Sequence, residues 1–290
     1  MMPEQFLLSY VGFSADNVPI IDVQVGDTIS RHPLLDCTLS LMFDLTVRYC
    51  TGWVDMAQHQ AHPCPDNATV VDRYEQCLVC RNKTGFNPAF YHAKTISKQQ
   101  ETLNQNPHFV YLAYFAPELI KVGISQEARG IRRILEQGAR AAIKLETFPS
   151  ASIARQYEAK IAHLDGVVEH VIHSRKLALL SLPFDEVKAT AELRDIQQRV
   201  EQTIGVTFES ATAISTASHF NSADIGLEKL IVMKHEPTII GTVRAVIGSD
   251  AICEHDGRLL TYNLKSYLGY RATTTTNAQL DLPSEQMTLF

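Results

Sequence analysis

Residues 108–162 read HFVYLAYFAPELIKVGISQEARGIRRILEQGARAAIKLETFPSASIARQYEAKIA. Two short apolar runs, HFVYLAYF and LIKVGIS, read as strands. Phe109, Tyr111 and Ala113 share a face of the first; Lys121 and Gly123 share a face of the second. Ile131, Ile134 and Leu135 then mark the buried side of a helix that Gly138 stops. RAAIKLETF predicts a third strand. Ser150 caps a second helix, with Ile153, Tyr157, Ile161 and Leu164 toward the core and Glu158 beside that stripe. On the first helix Arg132 flanks the apolar stripe and reaches across the strands, whereas Arg133 points away. The expected unit is ββαβα.

Working outward, the 290-residue chain is 45% hydrophobic and 20% charged, ordinary for a globular protein with room for sizeable cores. It has no run of 18 apolar residues, so no membrane span or membrane partner is expected. The start, MMPEQFLLSYVGFSADN, lacks a basic region followed by a long apolar one. No secretory signal is read, and the expected compartment is the reducing cytoplasm. The net charge of −6 argues against a generally basic nucleic-acid binder. Residues 121–160 differ, with eight Lys and Arg against four Glu, a local +4. From charge alone, two amphipathic helices with solvated faces explain this as well as a phosphate-binding surface does.

The class predicted is α+β, in five parts. Residues 1–49 form an N-terminal β region, in which Leu39, Leu41, Phe43, Leu45 and Val47 alternate. Residues 50–107 hold a Cys-rich segment and a polar linker, KTISKQQETLNQNP. Residues 108–164 are the core unit, residues 165–228 a helical connector and loop, and residues 229–290 a C-terminal β region and tail. Within the connector, 184–204 predicts a helix capped by Asp185 and closed by Gly205, and the Ser/Thr/Ala-rich 209–228 predicts a surface loop. Asp256-Gly257 predicts a hairpin turn. The two terminal β regions are expected to pair into one sheet or small barrel, and the tail from Thr273 onward to be mobile.

Cys50, Cys64, Cys77 and Cys80 follow the pattern C-x13-C-x12-C-x2-C. The Cys77-Leu-Val-Cys80 knuckle lets two thiolates reach one cation, and four sulfur ligands favour a closed structural zinc site. The segment offers little core of its own, so metal would supply folding energy. His59 and His62 are substitute ligands for Cys50 or Cys64. A redox pair is the alternative for the knuckle, but no βαβ context surrounds it. Cys37 and Cys253 fall among strands and read as packed thiols.

Several short motifs carry a resemblance: Cys-Thr-Gly at 50–52, Pro-Cys-Pro at 63–65, Gln-Cys-x-x-Cys at 76–80, H-x-V-Y-L-A at 108–113, K-V-G-I at 121–124 and L-E-Q-G-A at 135–139. The pattern resembles an uncharacterised bacterial family of unknown function with a Cys cluster ahead of a GIY-YIG-nuclease-like core. Phe109-Val110-Tyr111 stands where GIY would be and Lys121-Val122-Gly123 where YIG would be. The resemblance implies that Tyr111 activates or orients water, Arg132 binds the scissile phosphate and Glu158 holds a divalent cation, Mg²⁺. A cation beside the phenol, Lys121, suits a Tyr base whose ordinary pKa is near ~10. The chain departs from the pattern at the second Tyr, replaced by Lys121, and at the Gly and Ile of the first motif, and its Arg spacing admits Arg129, Arg132 or Arg133.

The function expected is nucleic-acid processing by metal-assisted phosphodiester hydrolysis. The alternatives are a non-catalytic, zinc-stabilised nucleic-acid binder and a protein-interaction scaffold. Plainer readings stand beside each residue: a half-buried strand Tyr, a snorkelling Lys, and the helix pairs Arg132–Glu136 and Arg155–Glu158. Phosphate-loop, dinucleotide, zincin and nucleophile-elbow motifs are absent. His170 and His173 read as surface residues.

Overall fold

The structure is a computed structural model. It describes residues 2–71, 73–86, 96–222, 225–234, 236–276 and 278–280. The chain opens with β1 (Gln5–Phe13), β2 (Pro19–Val25), β3 (Thr28–Pro33) and β4 (Thr38–Asp44). The Cys segment adds β5 (Trp53–Asp55), β6 (Gln60–His62), α1 (Leu78–Thr84) and α2 (Lys98–Asn104). The central unit is β7 (His108–Ala116), β8 (Leu119–Gln126), α3 (Arg132–Gln137), β9 (Ala141–Phe148) and α4 (Ala151–Ile161), with a 3₁₀ turn at Glu127–Arg129. After it come β10 (Val167–Val168), α5 (His173–Leu180), α6 (Glu186–Ile204), β11 (Thr212–Ser215) and α7 (Ala217–Phe220). The chain then returns to strand with β12 (Ile231–Met233), β13 (Thr238–Ile247), β14 (Asp250–His255), β15 (Arg258–Asn263) and β16 (Arg271–Thr274).

The ββαβα order predicted for residues 108–162 is the order observed. The terminal β regions do pair. Their nine strands run β12-β15-β14-β13-β4-β16-β1-β2-β3 in one sheet, with β16 inserted between β1 and β4. Inward residues of both regions share one core, including Phe6, Leu39, Phe43, Val243, Leu260 and Tyr262. Cys253 is buried in that core and Cys37 packs at its margin. Asp256 and Gly257, at φ 49° and 72°, make the two-residue turn between β14 and β15, the paired positive dihedrals such hairpins need.

The second sheet runs β10-β8-β7-β9-β11. One face, with Val110, Leu112, Val122 and Ile143, buries α4 and α6. The other, with Phe109, Tyr111, Ala113 and Phe115, receives Ile134 of α3. A further cluster joins this unit to the large sheet, setting Leu135 of α3 and Leu180 of α5 against Phe13, Ala245, Ile247 and Ile252. α3 is thus clamped between the two sheets.

Three expectations need correction. The linker at 94–107 contains α2, capped by the Ser97 hydroxyl accepting from the Gln100 amide at 3.0 Å. The loop expected at 209–228 contains β11, which adds an edge strand to β9, and α7. Thr216 is fully buried and donates to the Ala139 carbonyl at 2.7 Å, so tertiary contact overrides the weak local pattern. On α4, Ile153 is exposed, and the buried stripe is Ala151, Ala154, Glu158 and Ile161. The expected tail mobility concerns residues that lie mostly outside the described ones. Among the described residues no helix is long and apolar enough to cross a membrane.

Candidate functional site

Strand register decides the first part of the site. Tyr111 lies opposite Gly123, and Ala113 opposite Lys121, so all four side-chain positions face the same way. The Tyr111 ring lies over Gly123: a Cβ there would stand 2.6 Å from both the ring Cζ and the hydroxyl. Glycine is what admits the phenol. Tyr111 is 1% exposed and Lys121 8%. Burial raises the phenol pKa to about 12, opposed by Arg133 and reinforced by Glu158. Burial lowers the Lys121 ammonium to about 8, against the stabilising pull of Glu158 and with repulsion from Arg133. Its Nζ donates to the Val122 carbonyl at 3.1 Å.

The guanidinium that reaches this place belongs to Arg133. Its charge acts on both Tyr111 and Lys121. Arg132 instead donates to the carbonyls of Arg129, at 3.1 Å, and Ala128, at 3.3 Å. The orientation expected from the helical wheel is therefore reversed. The reason is the clamped helix. Ile131 and Leu135 serve the large sheet and Ile134 alone serves the small one. At about 100° per residue, Arg133 flanks the Ile134 direction and Arg132 lies nearly opposite it. Gln137, with its amide oxygen toward the guanidinium, accepts from Arg133 at 3.1 and 3.2 Å. Glu136 binds Arg129 at 2.6 Å and lies 3.7 Å from Arg133.

Glu158 stands on α4. It is 7% exposed, and its charge acts on both Tyr111 and Lys121. Its carboxylate is engaged by Arg155 through a short ion pair, and Arg155 also binds Glu169 at 3.0 Å. Of the four residues singled out by sequence, Tyr111 and Lys121 share a sheet face and both feel the charge of Glu158, and the α3 cation acting on them is Arg133 rather than Arg132.

Sequence reasoning did not include α5. Lys176 donates to the Gln137 carbonyl at 2.7 Å and sits 5.0 Å from the centroid of the Phe115 ring. Burial, then Lys121 and Arg133, lower its ammonium to about 8. His173, read as a surface residue, bonds Asp250 of the large sheet at 2.7 and 3.0 Å and so ties α5 across the two sheets. The available signal was the short amphipathic run HSRKLALL, whose Leu177, Leu179 and Leu180 all pack inward.

The sulfur cluster is separate. The Sγ atoms of Cys50, Cys64, Cys77 and Cys80 all lie within 4.8 Å of one another, and Cys64 and Cys77 are 3.9 Å apart. Sulfurs bound tetrahedrally at about 2.3 Å to one zinc are about 3.8 Å apart, so the spacing fits a shared cation. No disulfide is formed. Amides of Gly52 and Cys77 donate to the Cys50 sulfur at 3.4 and 3.2 Å, a second shell suited to thiolate. Burial raises the Cys50 and Cys80 thiols. For Cys77 it is outweighed by the Cys80 amide and neighbouring thiols, leaving the group below its ordinary value. His62 stacks on Trp53 at 4.2 Å and is not among the four. Cys77 and Cys80 sit at the start of α1, whereas Cys50 and Cys64 come from the preceding loops. The four could hold a metal such as zinc, and they are the one such group of three or more His, Cys, Asp or Glu among the described residues.

A family model described as "Protein of unknown function (DUF2797)" matches residues 73–272, more than half of the chain. It spans the central unit, β13 to β15 and the Cys77–Cys80 knuckle, but not Cys50, Cys64 or β1 to β4. No curated protein and no solved structure matches.

Proposed function

We propose that this chain, which belongs to the DUF2797 family of proteins of unknown function, acts on nucleic-acid phosphodiesters at the site built from Tyr111, Lys121, Arg133 and Glu158. The observation that supports this reading is that Tyr111 of β7 and Lys121 of β8 share one face of the small sheet, and that the charges of Arg133 from α3 and Glu158 from α4 both act on each of them. A guanidinium and an ammonium on a mostly buried floor are suited to the equatorial oxygens of a phosphoryl group, where charge accumulates during hydrolysis. Tyr111 orients the attacking water through its hydroxyl. With its pKa near about 12 it needs Arg133 and Lys121 charged before it serves as a base. Glu158 is the residue that would hold Mg²⁺, once Arg155 turns away. The Cys cluster holds zinc and fixes the loop that precedes the unit.

A second reading, non-catalytic binding, is favoured by the engagement of Glu158 with Arg155 and by the lack of a second metal-type cluster among the described residues. One experiment separates the two. Labelled single- and double-stranded DNA and RNA are incubated with the protein and Mg²⁺, and both cleavage and salt-dependent binding are read. Cleavage lost in Glu158→Gln supports hydrolysis. Binding that weakens with salt, without cleavage, supports the second reading. Absence of both removes nucleic acid from the function.

A further inference from the structure

We propose that Lys176, with Lys121 and Arg133, grips a phosphomonoester dianion, so that the site takes a nucleic-acid strand by its terminal phosphate. This rests on the reading of the site as one for nucleic-acid phosphates and names the part of the strand it holds. Lys176 comes from α5, outside the ββαβα unit, and is placed by its hydrogen bond to the Gln137 carbonyl and its position over Phe115. Phe115 lies on the same strand face as Tyr111 and Ala113, and Ala113 is opposite Lys121.

Charge does not balance there. The cations acting on Tyr111, Lys121 or Lys176 are Lys121, Arg129, Arg133, Arg155, Lys176 and Lys265. The carboxylates among or beside them are Glu136, Glu158, Glu169 and Asp250. With His173 left aside, two positive charges are in excess. The carboxylates are already engaged: Glu158 and Glu169 by Arg155, Glu136 by Arg129, Asp250 by His173. Burial first, and then the charge of Arg133 on both and of Lys121 on Lys176, depresses the proton affinity of the two lysines, and an anion brought among them relieves that cost. An internal phosphodiester carries one negative charge. A terminal phosphate carries roughly 1.5 to 2 at neutral pH and closes the balance. The near-complete burial of Lys121 also suits a chain end better than a continuous strand.

The test uses the full-length protein with its metal and labelled oligonucleotides of about twelve nucleotides, DNA and RNA, carrying a phosphate or a hydroxyl at the 5′ or the 3′ end. Affinity is read by fluorescence anisotropy. A phosphate at one of the two ends is expected to tighten binding about tenfold. Lys176→Met brings that ratio to about one, and Lys176→Arg preserves it. The proposal is overturned if neither end phosphate improves binding, if the ratio survives in Lys176→Met, or if a free mononucleotide competes as well as the phosphate-ended strand. Failure of the underlying reading is distinct: the hydroxyl-ended strands would then bind without dependence on Arg133, or none would bind.

Discussion

Gly123→Ala is the sharpest structural perturbation of the site. The added methyl carbon would lie 2.6 Å from the Cζ and hydroxyl oxygen of Tyr111. Favourable contacts begin near 3.5 Å, so the overlap is about 1 Å against two atoms at once. The ring has little room to yield. It is 1% exposed and lies against Phe109 at a centroid distance of 5.9 Å. Overpacking of this kind costs about 1–3 kcal/mol. For a chain of about this size each kcal/mol lowers the melting temperature by about 2–4 °C, so the expected fall is roughly 2–12 °C. Tyr111→Leu also destabilises, by removing buried ring. In the double variant the smaller side chain relieves the overlap, so the combined loss is smaller than the two single losses added. Differential scanning fluorimetry on the four proteins measures the cycle. Gly123→Ala melting within about 1 °C of the parent, or additive losses, would refute the placement of the phenol over Gly123.

Three further outcomes are expected. Protein purified without chelator carries about one zinc per chain by elemental analysis, and Cys64→Ser or Cys80→Ser abolishes it; the absence of bound metal defeats the four-sulfur site. The Asp250 hydrogen bond raises the His173 pKa, against burial, Lys176 and Lys265. That pair therefore stabilises the fold fully below the unfolded value of 6.5 and loses its contribution as pH rises through the folded value; Tm against pH is flatter in His173→Gln, and an identical profile contradicts the pairing. Lys121 and Lys176 have folded pKa values lowered to about 8, so their charged forms, which bind phosphate, decline as pH rises through that value. Oligonucleotide affinity falls over the same window, and a double Met variant that keeps the full pH dependence would rule those groups out.

The fold was legible where local and tertiary signals agree. Asp185 and Gly205 bound α6 because a carboxylate accepting from the Val187 and Lys188 amides and a left-handed glycine act within one turn of the helix. The strand faces carrying Tyr111 and Lys121 followed from the period of two alone. β11 was not legible, since Thr-Ala-Ile-Ser carries weak strand preference and is set by its pairing with β9. A helical wheel favours Arg132 over Arg133 because it assigns all apolar residues to one neighbour, whereas α3 divides Ile131, Ile134 and Leu135 between two sheets. Lys176 and the His173–Asp250 pair depend on how α5 docks, which no spacing encodes.

The most direct measurement compares Arg133→Met with Arg132→Met in nucleic-acid binding at fixed salt, each variant first shown to melt like the parent. Arg133→Met is expected to weaken binding about tenfold or more, and Arg132→Met by less than about twofold. Equal losses, or a larger loss at Arg132, would contradict a phosphate site assembled around Tyr111, Lys121, Arg133 and Glu158.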